Sequence, residues 1–285
     1  MRKIIVFLML VSSPVGMSQA ADFSLKINGG LKYNLFRDIN RGTDGYLSYW
    51  ADLAIHNPLT EALVVENRES FHIGTTYSCD LIMKINSEYS IGLGLGYLRA
   101  NNQREILIQY PLRDGVDSYA SVKTRVKALP IRFSVFRDYH FSQVFGAYVV
   151  AGLEFYLTNY ESWMFPAGPG DSHHQKAKSV GLGLLYGLGL EIKVVPGFMF
   201  VLEAHGDYAR ISKLKGKRES GGSSLPYEEK GILYFSEITR EIQPGVPRIY
   251  GELMIHEAKP SGDSVRRGTV DFSGVALLAG IKIRL

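Results

Sequence analysis

Glu203, His205 and Asp207 occupy alternate positions of the chain. In an extended backbone that spacing puts all three on one face, and a His between two carboxylates has the parts of a general base. No nucleophile stands beside them, so the triplet is read as part of a structural charge network and no catalytic residue is assigned. Asp171, His173 and His174 suggest a metal site. Adjacent His side chains point apart in an extended chain, however, and no fourth ligand is near in sequence, so no metal is assigned. Gly92, Gly94 and Gly96, and the series Gly181, Gly183, Gly187 and Gly189, keep a period of two. A dinucleotide loop needs a strand, a tight turn and a helix instead, so no cofactor is expected.

The elements that must hold these residues follow from the same period. From Phe145 to Leu157 every odd position is apolar, while the even positions carry Gly146, Tyr148, Gly152, Glu154 and Tyr156. Val180, Leu182, Leu184, Tyr186, Leu188, Leu190 and Ile192 repeat the pattern in the opposite phase. Ile91, Leu93, Leu95 and Tyr97 do so too, as do Ile73, Tyr77, Cys79, Leu81 and Met83. Such alternation marks strands with one wholly apolar face. Runs of ten or more residues suit a tilted membrane-crossing strand better than the shorter strands of soluble domains.

Eight strands are expected, at about residues 22–36, 70–86, 89–100, 121–136, 143–159, 179–194, 198–212 and 269–285. The connections between them alternate between short (86–88, 137–142, 195–197) and long (37–69, 101–120, 160–178, 213–268). That layout predicts an all-β, antiparallel, up-and-down transmembrane β-barrel with short periplasmic turns and long extracellular loops. Two places strain the register. Val122, Val126 and Ala128 fit one phase of the fourth strand and Leu129, Ile131, Phe133 and Val135 the other, so a β-bulge is expected beside Pro130. Residues 231–242 and 248–258 are strand-like. They are read as a hairpin above the membrane, the alternative being a ten-stranded wall.

Residues 1–20 read as a cleaved signal peptide. Arg2 and Lys3 precede an apolar run too short to span a bilayer, and Ser18 and Ala20 form an exit before Ala21. Residues 21–285 then form one domain. The formal charge of +4 falls to about +2 without Arg2 and Lys3, and no basic run suggests nucleic acid. Cys79 is the only cysteine, which excludes an intramolecular disulfide and reads as packing.

The inward face of such a barrel would collect Lys26, Lys32, Asp80, Lys84, Arg132, Glu154, Glu191, Lys193, Glu203, His205, Asp207, Lys282 and Arg284. Eight strands enclose a space just filled by side chains, so these charges are expected to pair as a luminal network.

Three stretches resemble the small outer-membrane β-barrel proteins grouped with the transmembrane domain of outer membrane protein A. The first is Leu129-Pro130-Ile131-Arg132-Phe133 leading to Ala147–Glu154. The second is Gly187–Ile192 with Pro196, Gly197 and then Leu202, Glu203, Ala204. The third is the terminal Gly280, Ile281, Lys282, Ile283, Arg284, Leu285, similar to the signal read by the barrel-assembly machinery, although Leu285 replaces the commoner Phe. The resemblance implies outer-membrane lipids and that machinery as partners, and architecture more than activity. The expected role is structural or surface-interacting, with an unidentified extracellular ligand on the long loops. The alternatives are a small porin or hydrophobic-solute channel and, behind that, a lipid-modifying enzyme.

Overall fold

The computed structural model describes residues 22–56, 62–67, 71–109, 117–167, 171–221, 227–262 and 264–285. The proposed signal peptide lies outside the described residues. The elements in chain order are β1 (Phe23–Asn34), α1 (Arg37–Ile55), β2 (Leu63–Asn67), β3 (Ile73–Lys84), β4 (Tyr89–Gln109), β5 (Ser118–His140), β6 (Phe145–Phe165), β7 (Ser172–Val195), β8 (Phe198–Tyr208), β9 (Arg210–Ile211), β10 (Lys215–Gly221), β11 (Tyr227–Gln243), β12 (Val246–His256), β13 (Arg266–Arg267), β14 (Val270–Asp271) and β15 (Gly274–Arg284).

β1, β3, β4, β5, β6, β7, β8 and β15 pair antiparallel in that order. β15 returns to β1 in register from Ser24↔Arg284 to Asn34↔Gly274, so the eight strands form a closed ring. Closure leaves none of the eight as a free edge. Tight turns lie at one end. Asn86 Oδ1 accepts from the Glu88 and Tyr89 N–H groups, Ser142 Oγ accepts from those of Val144 and Phe145, and Gly197 supplies a φ of +82°. The start of β1 and the last residue meet there, where the Leu285 N–H donates to the Phe23 carbonyl.

The wall is uneven. β4 to β7 run 21, 23, 21 and 24 residues, whereas β1, β3, β8 and β15 run 12, 12, 11 and 11. The expected long connections 101–120 and 160–178 are therefore mostly strand, projecting as tall hairpins. β10 joins the upper part of β7 and leads through β11 to β12, outside the ring, so residues 231–258 do not enter the wall.

Connection 37–69, read as a loop, holds the helix α1. Its buried residues Ile39, Thr43, Leu47, Ala51 and Ala54 recur at helical spacing, and Gly42 and Gly45 let it approach Leu253 and Gly251 of β12 closely. Arg104 of β4 donates to Asp44 at 2.6 Å and also to Asn40 of α1. Gln175 of β7 holds β12, its amide donating to the Leu253 carbonyl at 2.9 Å and its oxygen accepting from the Ile255 N–H. Helix and hairpin thus form a cap over the mouth at the end away from the tight turns.

No bulge occurs at Pro130. β5 keeps one register against β6 from Ser121↔Phe165 to His140↔Gly146, and its even positions face inward throughout. The apolar residues change face because the inner surface changes character. Beneath the cap Val126 and Ala128 join a dry core with Phe36, Phe71, Leu98, Tyr156 and Phe272, while lower down Leu129, Phe133 and Val135 face out.

Candidate functional site

The inner face of the ring is layered, and each layer follows from strand parity. Nearest the tight turns is a cavity of about 430 Å³ bounded by Asp22, Lys84, Ser90, Asp138, His140, Glu191, Lys193, Lys282 and Arg284. Above it Ile82, Phe136, Tyr148, Val150, Leu185 and Val201 form an apolar layer, with Phe136 and Tyr148 edge to face at 5.5 Å. Next comes a cluster of charges, all buried. Higher still Tyr156 stacks on Phe272 at 5.1 Å and Phe36 on Phe71 at 4.6 Å, directly under the cap.

The charged layer is built from five of the eight strands, with β1 and β8 supplying most of its groups. Lys26 of β1 donates to Glu203 of β8 at 2.5 Å and lies 3.4 Å from Asp80 of β3. Arg132 of β5 pairs with Glu154 of β6 at 2.9 Å and reaches Asp80 at 3.7 Å. Lys32 pairs with Asp207 at 2.8 Å. His205 Nδ1 lies 3.1 Å from Glu203 and its Nε2 3.6 Å from Asp207, so both ring nitrogens are engaged. Two tyrosines complete the cluster: Tyr156 donates to Glu154 at 2.5 Å and Tyr148 donates to Glu203. The Lys26 ammonium also lies 5.0 Å from the Phe136 ring centre, a cation–π contact.

The inward glycines make this layer possible. A methyl group at Gly94 would overlap the Asp80 carboxylate, and one at Gly189 would overlap the Tyr148 ring. Bulky groups on one strand are thereby matched by absent side chains on the next.

The expected single network is two. Lys26, Lys32, Asp80, Arg132, Glu154, Glu203, His205 and Asp207 come together. Lys84, Glu191, Lys193, Lys282 and Arg284 fall beyond the Phe136–Tyr148 layer, around the lower cavity. There Lys282 pairs with Glu191 at 2.8 Å and Arg284 with Asp22 at 2.8 Å, while Lys193 and Arg284 are exposed. Position along the strands separates groups that parity alone places on one face. Tyr148 and Tyr156 were missed as network members, although they share the even phase of Glu154.

Asp171, His173 and His174 do not converge. His174 faces outward, stacked on Trp163 at 4.9 Å and 3.1 Å from Glu161, while His173 lies opposite Met164 in the adjoining strand. Among the described residues no group of three or more His, Cys, Asp and Glu is arranged to hold a metal ion. A His-x-Ser spacing, His140-Phe141-Ser142, escaped the sequence reading. Its Ser142 Oγ accepts from two backbone N–H groups in the β5–β6 turn, a structural task. Cys79 is exposed on the outer face, opposite Ile27 and Leu95, and not packed inside.

No family model matches the chain, and no curated protein does. Solved structures that resemble it include the outer membrane protein OprG from Pseudomonas aeruginosa, at 11% identity and a TM-score of 0.34, covering 94% of this chain and 97% of that one. Another is the outer membrane protease OmpT from Escherichia coli, at 8% identity and a TM-score of 0.43, covering 94% and 99%.

At the mouth, a surface groove of about 630 Å³ runs between α1 and the β11–β12 hairpin, lined by Arg41, Asp52, Glu237, Arg248 and Tyr250. Arg248 donates to Asp52 at 2.8 Å and Tyr250 donates to the other Asp52 oxygen at 2.7 Å. Gly280, Ile281, Ile283 and Leu285 lie in or just after the closing strand β15; Leu285 is exposed.

Proposed function

We propose that this chain is a transmembrane β-barrel of the bacterial outer membrane, exported behind a cleaved signal peptide, with a plugged interior and a structural or surface-interaction role. The observation that carries this reading is the outer face of the ring. Ile27, Leu31, Tyr77, Leu81, Leu93, Leu95, Phe133, Leu153, Phe155, Leu182, Leu188, Leu202 and Leu277 are all exposed, and together they cover every strand of the wall. A water-soluble chain seldom exposes a contiguous apolar patch beyond a few hundred Å². A closed ring pairs its backbone groups from strand to strand, which is what hydrocarbon demands of a spanning structure.

The layered interior supports a closed post over a porin. Two aromatic layers bracket the charges, and the cap packs on the upper one. It also favours a non-catalytic role, since Glu203, His205 and Asp207 are engaged with each other, with Lys26 and Lys32 and with Tyr148. The groove beside α1 is the surface offered to an extracellular ligand. Ile281, Ile283 and Leu285 suit the terminal signal presented to the barrel-assembly machinery.

Planar-bilayer recording tests the plug. The purified chain is expected to give no steady openings, and sustained ion-permeable steps would overturn the closed interior. Heat-modifiable migration in detergent gels tests the barrel itself. A chain that migrates identically before and after boiling, and that purifies without detergent, would remove the membrane reading.

A further inference from the structure

The outward residues just above the apolar belt are not alike around the ring. On β4, β5, β6 and β7 the belt's upper row is Tyr97, Leu129, Leu157 and Val180, all exposed. Two residues further along each strand, about 7 Å higher, the row reads Arg99, Lys127, Asn159 and Lys178, and β10 adds Lys215. These are direct register partners: Arg99↔Lys127, Lys127↔Asn159, Asn159↔Lys178 and Lys178↔Lys215. Around the short strands the same register row continues without charge, as Thr75, Leu31 and Leu277, and the outward residues at the upper ends of β1, β3, β8 and β15 are Tyr33, Ile73, Tyr208 and Val275, again uncharged.

Like charges directly opposite each other on neighbouring strands are destabilising. Arg99 faces Lys127, and Lys178 faces Lys215, yet none of the four has an acidic partner among the described residues. The next row up shows what neutralisation looks like here. Glu161 sits between Arg125 and Lys176, at 3.5 Å and 3.1 Å, and Lys217 meets Glu228 at 3.1 Å. The bare row spans about 19 Å over four strand spacings, as two cation doublets divided by Asn159. On the membrane reading proposed above, it lies where hydrocarbon gives way to headgroups on the long-connection side.

We propose that this row binds a phosphorylated lipid headgroup of the outer leaflet, with acyl chains lying on Leu129, Leu157 and Val180 and phosphates held by the two doublets. The assignment rests on the membrane reading above. Charge complementarity identifies the ligand class, and continuity with the belt favours a lipid over a soluble anion. Each surface cation contributes roughly a fivefold gain in affinity for an anionic lipid.

The test uses the full chain, with bis-phosphorylated lipid A and its dephosphorylated form as probes. Flotation with phosphatidylcholine vesicles comes first, and a chain that fails to float overturns both the membrane reading and the site. Native mass spectrometry from neutral detergent then reads retained lipid. Bis-phosphorylated lipid A is expected to be retained over the dephosphorylated form. Retention should fall at least tenfold in Arg99→Gln/Lys127→Gln and in Lys178→Gln/Lys215→Gln, and stay unchanged in Lys176→Gln. Equal retention of both lipids, or of lipid A by all variants, by a chain that floats overturns the site alone. Displacement by millimolar inorganic phosphate would assign the row to a soluble anion and overturn the lipid proposal. The four residues are on the surface, and unchanged heat-modifiable migration verifies folding of each variant.

Discussion

Asp38 and Arg266 are 228 positions apart, yet both carboxylate oxygens of Asp38 accept from the Arg266 guanidinium. Thr269 adds a backbone and a hydroxyl donor to the same carboxylate. This bidentate link ties the start of α1 to the segment before the closing strand, where planar geometry favours Arg over Lys.

The link makes seating of the cap acid-sensitive. Burial pushes the Asp38 carboxyl up, but the Arg266 and Thr269 hydrogen bonds and the Arg266 charge outweigh it and hold its pKa below the ordinary value. A lowered folded-state pKa contributes stability that is complete above the unfolded value of about 3.9 and is lost as pH falls through the folded value. Trp50 on α1, followed by fluorescence in a Trp163→Phe background, is expected to report release of the helix below about pH 4. In Asp38→Asn the signal should already be altered at neutral pH and lose that acid step. An acid step of equal size in Asp38→Asn would refute the link.

Removing Lys26 leaves Glu203 and Asp80 short of a cation inside the ring. Breaking a buried pair by deleting one partner costs about 3–5 kcal/mol. Lys26→Met is expected to lower the urea midpoint in lipid vesicles accordingly, and Lys26→Met/Glu203→Gln to recover part of the loss. A midpoint equal to that of the unmodified chain would show that Lys26 does not hold the layer together.

Cys79 is a single internal probe of the belt. Placed among Ile27 and Leu95 on the outer face, its thiol is expected to react with a lipid-soluble maleimide and to resist a charged one in reconstituted vesicles. Equal labelling by both would put this face in water.

Gly189→Ala should force the Tyr148 ring away from Glu203, a steric cost of about 1–3 kcal/mol. In a Tyr148→Ala background the same change should be nearly silent, because the clashing ring is gone. A full additive cost in the double variant would place the strain elsewhere.

Most of the ring is legible in the sequence because one physical rule, alternation, acts on every strand. Phe145 to Leu157 declares its outer face outright, and the same parity places Glu154 inside beside Arg132. The rule fails where the environment of a face changes along a strand. Val126 and Ala128 looked out of phase only because the inner surface turns apolar beneath the cap. It is also silent about α1, where Gly42 and Gly45 lower helix propensity for the sake of a contact made some 200 residues away. Parity assigns a side to Lys84 and Lys193 but not a height, and height decides that they miss the central cluster.

The seat of α1 has a consequence in time. The helix follows the first wall strand, but its closest neighbours, Gly251 and Leu253, belong to β12, near the other end of the chain. Contacts of such long sequence separation form late, after the costs of loop closure have been met. Until β12 exists α1 lacks its closest packing surface, although Arg104 of β4 already offers a partner to Asp44 and Asn40. Seating of the cap therefore waits for the last third of the chain, and a chain cut short before β12 would lack both the helix's main partner and β15, the strand that closes the ring.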